Sequence, residues 1–148
     1  MQSRSSLGIQ DFYRLSERID TAGQPTAAQL GALQQLGYET VINLRPLADS
    51  FPNERDLVEG QGIEYIQIPV DWEAPADEDV QTFFDALQAC KAKRILIHCA
   101  RNMRVSAFMY LYRVRIEGLP RDTALSNLHH IWSPNATWQQ LIDRVLSS

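Results

Sequence analysis

Only two of the 148 residues are cysteine, so no disulfide framework holds the chain together. Three histidines, with no His/Cys/Asp/Glu cluster at metal-ligand spacing, give no reason to expect a metal, and no cofactor is expected either. Positive charge is not in excess: 14 Lys and Arg stand against 18 Asp and Glu, for a net charge of −4. That balance excludes a general nucleic-acid binder, which needs a basic surface to meet phosphates. Long hydrophobic runs are missing too. The nearly uncharged stretch 105–112 falls far short of the ~20 residues that cross a bilayer, so no membrane partner is expected. The first six residues, Met-Gln-Ser-Arg-Ser-Ser, lack the apolar core of a signal peptide, and a cytoplasmic location is the expectation. Without repeats, low-complexity tracts or linkers, residues 1–148 read as one domain, with 1–10 a candidate disordered start. A chain of this length buries roughly 70% of its unfolded surface and needs no covalent staple.

What is present is alternation. Phe12–Leu15 and Ile19–Ala22 read as short extended pieces closed by the turn residues Gly23-Gln24-Pro25. Thr26 and Gln29 match a capping box for a helix whose apolar face is Leu30, Leu33 and Leu36 and whose end is Gly37. Thr40–Leu44 is a β-branched strand ended by Arg45-Pro46; a loop over 47–52 and a short helix over 53–60 follow, with Leu57 and Val58 inward. Residues 63–70 alternate apolar and polar at period two, a further strand. The loop 71–76 leads to a helix over 77–91, with Val80, Phe83, Phe84 and Leu87 on one face. A strand over 95–98 and a helix over 104–117 come next. Pro120 and Ser133-Pro134 then mark the starts of two more helices. Such alternation predicts an α/β fold with a mainly parallel central sheet flanked by helices and extra C-terminal helices. Ligands of such sheets bind at the carboxyl ends of strands, where Arg45, Asp71 and the His98-Cys99 pair are expected.

The most informative stretch is His98-Cys99-Ala100-Arg101-Asn102-Met103-Arg104-Val105-Ser106. A strand delivers Cys99 to the start of a helix, where backbone N–H groups and the helix dipole converge beside the sulfur. Such a place favours a thiolate and binds an oxyanion. Cys99 is the candidate nucleophile, the amides of Ala100 to Arg104 the cradle, and Arg104 the guanidinium that forks onto the anion. Asn102, at the midpoint, tolerates a left-handed backbone better than other non-glycine residues. Arg101 is a second binding group or a solvated side chain, and His98 either tunes the thiolate or only braces backbone. Cys90, about 15 Å from Cys99 along the intervening strand, is too far to pair with it and reads as a core or helix-end residue. Trp132 and Trp138 read as packing residues.

On these residues the chain resembles the cysteine-dependent phosphatases of the tyrosine and dual-specificity type, whose loop reads His-Cys, two residues, Gly, two residues, Arg, Ser/Thr. Tyr13-Arg-Leu-Ser16, Ala22-Gly-Gln-Pro25, Val41-Ile-Asn-Leu-Arg45, Ile68-Pro-Val-Asp71 and Ile97-His-Cys99 resemble the bacterial phosphatase-like domain found beside β-lactamase-type hydrolases, over roughly residues 10–117. The resemblance implies a dual-specificity-phosphatase-like fold, a phosphorylated protein or small molecule as substrate, and a thiophosphate on Cys99. It also implies an Asp that protonates the leaving oxygen: Asp71, or Asp77, which is also the expected helix cap. The loop is irregular. Without a gap, Val105 falls on the family's arginine and Ser106 on its hydroxyl residue. With one residue deleted, Arg104 takes the arginine role and Val105 the hydroxyl position, and charge favours this register. Arg45 reads as a supporting contact or as the partner of Glu54 or Glu59, and Trp72 as core more than pocket wall. Two other readings stand beside the phosphatase: a pseudophosphatase that binds phosphorylated partners without turnover, and a rhodanese-like sulfurtransferase using Cys99-x-x-Asn102-x-Arg104. Oligomeric state is not legible.

Overall fold

A computed structural model describes residues 7–90 and 93–148. Five strands form one mixed sheet in the order β1-β2-β5-β3-β4, where β1 is Tyr13–Arg14, β2 Ile19–Ala22, β3 Thr40–Asn43, β4 Glu64–Gln67 and β5 Ile95–His98. The edge strand β1 is antiparallel to β2, and the other neighbours are parallel. The central strand β5 pairs on both sides, His98 lying opposite Ala22 of β2 and Asn43 of β3. Its carboxyl end is therefore walled by two strand ends.

Side chains alternate across this sheet, as period two requires. Ile95 and Ile97 join one apolar cluster with Ile19, Ile42 and the inner faces of α3 (Asp77–Ala89), α4 (Met103–Arg115), α5 (Arg121–Ile131) and α6 (Ala136–Ser147). Leu96 points the other way, to a cluster with Val41, Tyr65, Leu30, Leu33, Leu36 and Val58. The latter cluster is roofed by α1 (Ala27–Leu30) and α2 (Glu54–Glu59). Val80, Phe83, Phe84 and Leu87 are all buried, as their helical spacing on α3 predicts. Each such side chain contributes roughly 1.5–3 kcal/mol of burial.

Two expectations need correction. The helix from Thr26 to Gly37 is broken: the Thr26 and Gln29 capping box forms, but α1 stops at Leu30, and Gln34–Leu36 is a 3₁₀ turn closed by left-handed Gly37. The physical reason is the spacing of Leu30, Leu33 and Leu36. A strict three-residue period stays on one face of a 3₁₀ helix and drifts off the face of an α-helix, and Gly31 in its midst gives the α-helix little support. Residues 7–10, part of the expected disordered start, are packed: Ile9 is buried, the Gln10 carbonyl accepts from Gly23 N, and the Leu7 carbonyl accepts from Gln29 Nε2. Residues 1–6 lie outside the described ones. No described helix is long and apolar enough to cross a membrane.

Candidate active site

The chain leaves β5 at His98 and enters α4 at Met103, and the four residues between make the loop that the sequence singled out. Its first amide is spent on the sheet, Cys99 N donating to the Ala22 carbonyl at 3.3 Å. Its last residue, Asn102, is the N-cap of α4, at φ 65° and ψ 1°, the left-handed conformation expected there. The buried Asn102 amide donates to the Asp11 carbonyl at 2.9 Å and to Thr21 Oγ1 at 3.0 Å, which ties the turn to the β1–β2 edge. From the other side Gly23 and Gln24 brace the loop: Gly23 bridges Arg101, and Gln24 N donates to the Ala100 carbonyl at 3.0 Å. A Cβ on Gly23 would meet that carbonyl at 2.6 Å, so this glycine is needed for close approach of two backbones.

Over the loop lies a pocket of about 150 Å³, lined by Trp72, Cys99, Ala100, Arg101, Met103 and Arg104. It is smaller than the roughly 300–1,000 Å³ that encloses a drug-sized ligand, and fits the reacting end of a larger one. The amides in the first turn of α4 have no carbonyl of their own helix to reach, and they open at this end of the sheet. Arg104 is only 8% exposed, its guanidinium carbon sits 5.6 Å over the Trp72 ring, and its Nε has no partner among the described residues. A buried guanidinium with an unmet donor beside a thiol is a site prepared for an oxyanion.

Arg104, not Val105, faces this pocket, since Val105 is fully buried in the core. Ser106 lines no part of it; its hydroxyl donates to the Met103 carbonyl at 2.9 Å and accepts from Trp132 Nε1 at 3.0 Å. Arg101 is exposed and lines the mouth. Trp72, expected as core more than pocket wall, is both: partly buried against the core through ring contacts to Trp132 at 5.4 Å and Trp138 at 5.5 Å, it also lines the pocket. Trp138 Nε1 also donates to the Trp72 carbonyl, so α6 fixes the backbone of the 71–76 loop. Asp71 precedes this wall, exposed, with Oδ1 accepting from Glu73 N at 2.9 Å. Asp77 is not the helix cap: Asp79 accepts from the Ala76 amide, and Asp77 pairs with Arg144 of α6 at 3.1 Å.

Behind the loop is a buried polar network that the sequence reading missed. His98 Nδ1 faces the Cys99 carbonyl at 3.2 Å and Nε2 faces Glu54 Oε2. Glu54 also accepts from the Tyr65 hydroxyl at 3.0 Å and from Gln24 Nε2 at 2.9 Å, and Asn43 Nδ2 donates to the Tyr65 oxygen at 3.0 Å. Burial alone would raise the Glu54 carboxyl, yet His98, Gln24 and Tyr65 together hold it below the usual carboxylate range. Arg45 does not touch Glu54 or Glu59. It donates to Gln24 Oε1 at 3.0 Å and reaches Glu54 only through that amide, while Glu59 pairs with Arg55. A signal for Glu54 existed: it shares the i, i+3, i+4 face of α2 with Leu57 and Val58, the residues read as inward. Among the described residues no His/Cys/Asp/Glu group is arranged to hold a metal ion.

The family model described as DSP-PTPase phosphatase fused to NAD+ kinase matches residues 11–142. TpbA, a dual specificity protein phosphatase of Pseudomonas aeruginosa, is 25% identical over 122 residues, covering 81% of this chain and 54% of TpbA. A β-lactamase hydrolase-like protein of Xylella fastidiosa is 26% identical over 122 residues, 78% of this chain and 28% of that one. The chain thus spans about half the length, or less, of these curated relatives. Among solved structures, a phosphatase candidate (DUF442) from Shewanella putrefaciens CN-32 superposes with a TM-score of 0.84 at 34% identity, over 97% of this chain and 95% of that one. The fold is also that of TpbA crystallised with phosphotyrosine, at a TM-score of 0.68 and 18% identity over 96% and 93% of the two chains.

Proposed function

From a chain that belongs to the DSP-PTPase family of cysteine-dependent phosphatases, we propose hydrolysis of phosphate monoesters, with Cys99 as the nucleophile and Arg104 as the phosphoryl clamp. The observation that carries the reading is the pocket in which a buried guanidinium with an unmet donor stands beside Cys99 at the carboxyl edge of the sheet. Family membership takes the place of the sulfurtransferase alternative.

The chemistry follows from the groups at hand. The Cys99 thiolate attacks phosphorus as the P–O bond to the leaving oxygen breaks, giving a thiophosphate and an alkoxide or phenoxide that takes up a proton. Charge spreads over the equatorial oxygens in this step. Arg104 and the loop amides oppose it there, and because they are already oriented they reorganise little. Water then attacks the thiophosphate, releasing inorganic phosphate and restoring the thiolate. Asp71, next to the Trp72 wall, is the proposed donor of the leaving-group proton and, later, the acceptor of a proton from water. A phosphotyrosine side chain suits the aromatic wall, and the TpbA complex with that ligand supports the choice.

The test is turnover of an aryl phosphate and of a phosphotyrosine peptide. Vanadate-sensitive release of phosphate, absent in Cys99→Ser, is expected. Phosphate binding with no release would instead make the protein a pseudophosphatase, and full-rate turnover in Asp71→Asn would assign the leaving-group proton to another donor.

A further inference from the structure

We propose that Trp138 and Trp132 are positioning residues for leaving-group protonation: from the corner between α5 and α6 they fix the 71–76 loop against the first turn of α4, and so set the reach of Asp71 toward the pocket. The proposal deepens the phosphatase reading and rests on Asp71 as the proton donor.

Asp71 and Cys99 come to the site on different parts of the chain. A proton donor serves only within hydrogen-bond reach of the leaving oxygen, so the spacing between the two loops has to be held. Among the described residues no hydrogen bond joins residues 71–76 to the Cys99 loop directly. The tryptophan pair joins them instead. Trp138 Nε1 donates to the Trp72 carbonyl at 3.0 Å. Trp132 Nε1 donates to Ser106 Oγ at 3.0 Å, and that hydroxyl donates to the Met103 carbonyl in the turn of α4 that carries Arg104. The two indoles lie 6.3 Å apart, and both rings contact Trp72, whose own ring faces the Arg104 guanidinium. The acid loop and the anion cradle are thus placed from one corner of the fold.

That corner is itself firmly set. Trp138 is fully buried, its ring meets Phe108 of α4 at 5.9 Å, and its backbone N–H is capped by Asn135 Oδ1 at 3.0 Å. Farther along α6, Arg144 Nη2 reaches the Pro75 carbonyl at 3.5 Å while its Nε pairs with Asp77, so one helix holds the loop at two points. Within the loop, Asp71 Oδ1 accepts from Glu73 N and the Asp71 carbonyl accepts from Ala74 N, a turn that passes any shift of the Trp72 backbone to the carboxylate. A buried indole N–H needs an acceptor in any fold. Here both acceptors belong to segments that carry site residues.

The experiment compares phenyl phosphate, whose leaving oxygen is a strong base that needs the proton, with 4-nitrophenyl phosphate, whose leaving oxygen is a weaker base that needs it much less. Trp138→Phe keeps a ring and removes the N–H. Its kcat is expected to fall about tenfold on phenyl phosphate and less than about threefold on 4-nitrophenyl phosphate. Asp71→Asn should show the same selectivity more strongly, with a loss of about 10²-fold on phenyl phosphate. Adding Trp138→Phe to Asp71→Asn should then cost nothing further, since the indole acts through Asp71. A tryptophan that only fills space would slow both substrates alike or neither, and any loss would add to that of Asp71→Asn; that result overturns the proposal and leaves Asp71 as the donor. Equal losses on the two substrates in Asp71→Asn would remove the donor assignment and the proposal with it. No turnover by the unaltered chain would remove the phosphatase reading as well. Should Trp138→Phe fail to fold, Trp132→Phe, which leaves the Trp138 bond in place, is expected to show the same selective loss, and equal losses there overturn the proposal.

Discussion

Cys90 and Cys99 are equally hidden, 2% and 1% exposed, and both are free thiols at the end of a secondary-structure element. Their surroundings differ in sign. Cys90 caps the C-terminus of α3, and its sulfur lies 3.9 Å from a Glu64 carboxylate oxygen; burial first, then that carboxylate, push the thiol up. Cys99 follows β5 at the N-terminus of α4, in a pocket that Arg101 and Arg104 also line. A helix C-terminus and an acid repel a thiolate, whereas a helix N-terminus and a guanidinium attract one. Fractional burial, then, does not separate the two sulfurs. The charge facing the sulfur does.

The largest effect that can break this contrast is removal of the guanidinium. Arg104→Ala is expected to lower kcat on an aryl phosphate by about 10²–10³, the typical cost of one oriented donor to a developing charge. Arg104→Lys should recover only part of it, since an ammonium cannot fork onto two oxygens. If kcat fell by less than about threefold in Arg104→Ala, the residue would be a packing partner of Trp72. The two cysteines would then differ only by their helix ends.

A smaller effect tests the brace and not the charge. Gly23→Ala places a methyl group 2.6 Å from the Ala100 carbonyl, a backbone atom that cannot step aside without moving the loop. Such overpacking costs about 1–3 kcal/mol, so Tm should fall by about 3–10 °C, with kcat/KM falling further than the lost stability explains. Unchanged kinetics alongside a lowered Tm would mean that Gly23 serves the fold but not the site.

The legible part of this molecule is what neighbours in sequence decide. β3 carries a β-branched run, β4 a period-two alternation and β5 an apolar run, and their order along the chain implies the parallel core. The loop from Cys99 to Arg104 was readable because strand end, turn and helix start are contiguous and each prefers its own residues. Asn102 in the left-handed region is an instance. The illegible part depends on partners brought from afar. Trp72 becomes a pocket wall because α6, over sixty residues later, holds its carbonyl and stacks its ring. Glu54 shares the inward face of α2 with Leu57 and Val58, yet nothing near it in sequence names its partner, which β5 supplies as His98. Gln24 reads only as a turn residue, yet it joins Arg45, Glu54 and the loop backbone, and no local preference encodes a junction of three distant elements.

The smallest effect sharpens the comparison by chemistry alone. Iodoacetamide at neutral pH should label Cys99 first, by way of the pocket, and saturating phosphate or vanadate should protect it by occupying the cradle. Cys90 should stay unlabelled there, and its rate should climb only above its ordinary thiol value of 9.0, because the folded state holds the proton on it. The same shift fixes a sign for stability. A thiol whose proton is held more tightly when folded adds stability that is fully present below the unfolded value and is lost as pH rises through the folded one, because the unfolded chain ionises first. Thermal unfolding of Cys90→Ala should therefore be less sensitive to alkaline pH than that of the unaltered chain, by a small margin for a single group. Mass spectrometry of the labelled protein checks the order of reaction. Equal labelling of the two cysteines at neutral pH, with no protection by phosphate, would show that the cradle around Cys99 supplies no electrostatic advantage over the acid beside Cys90.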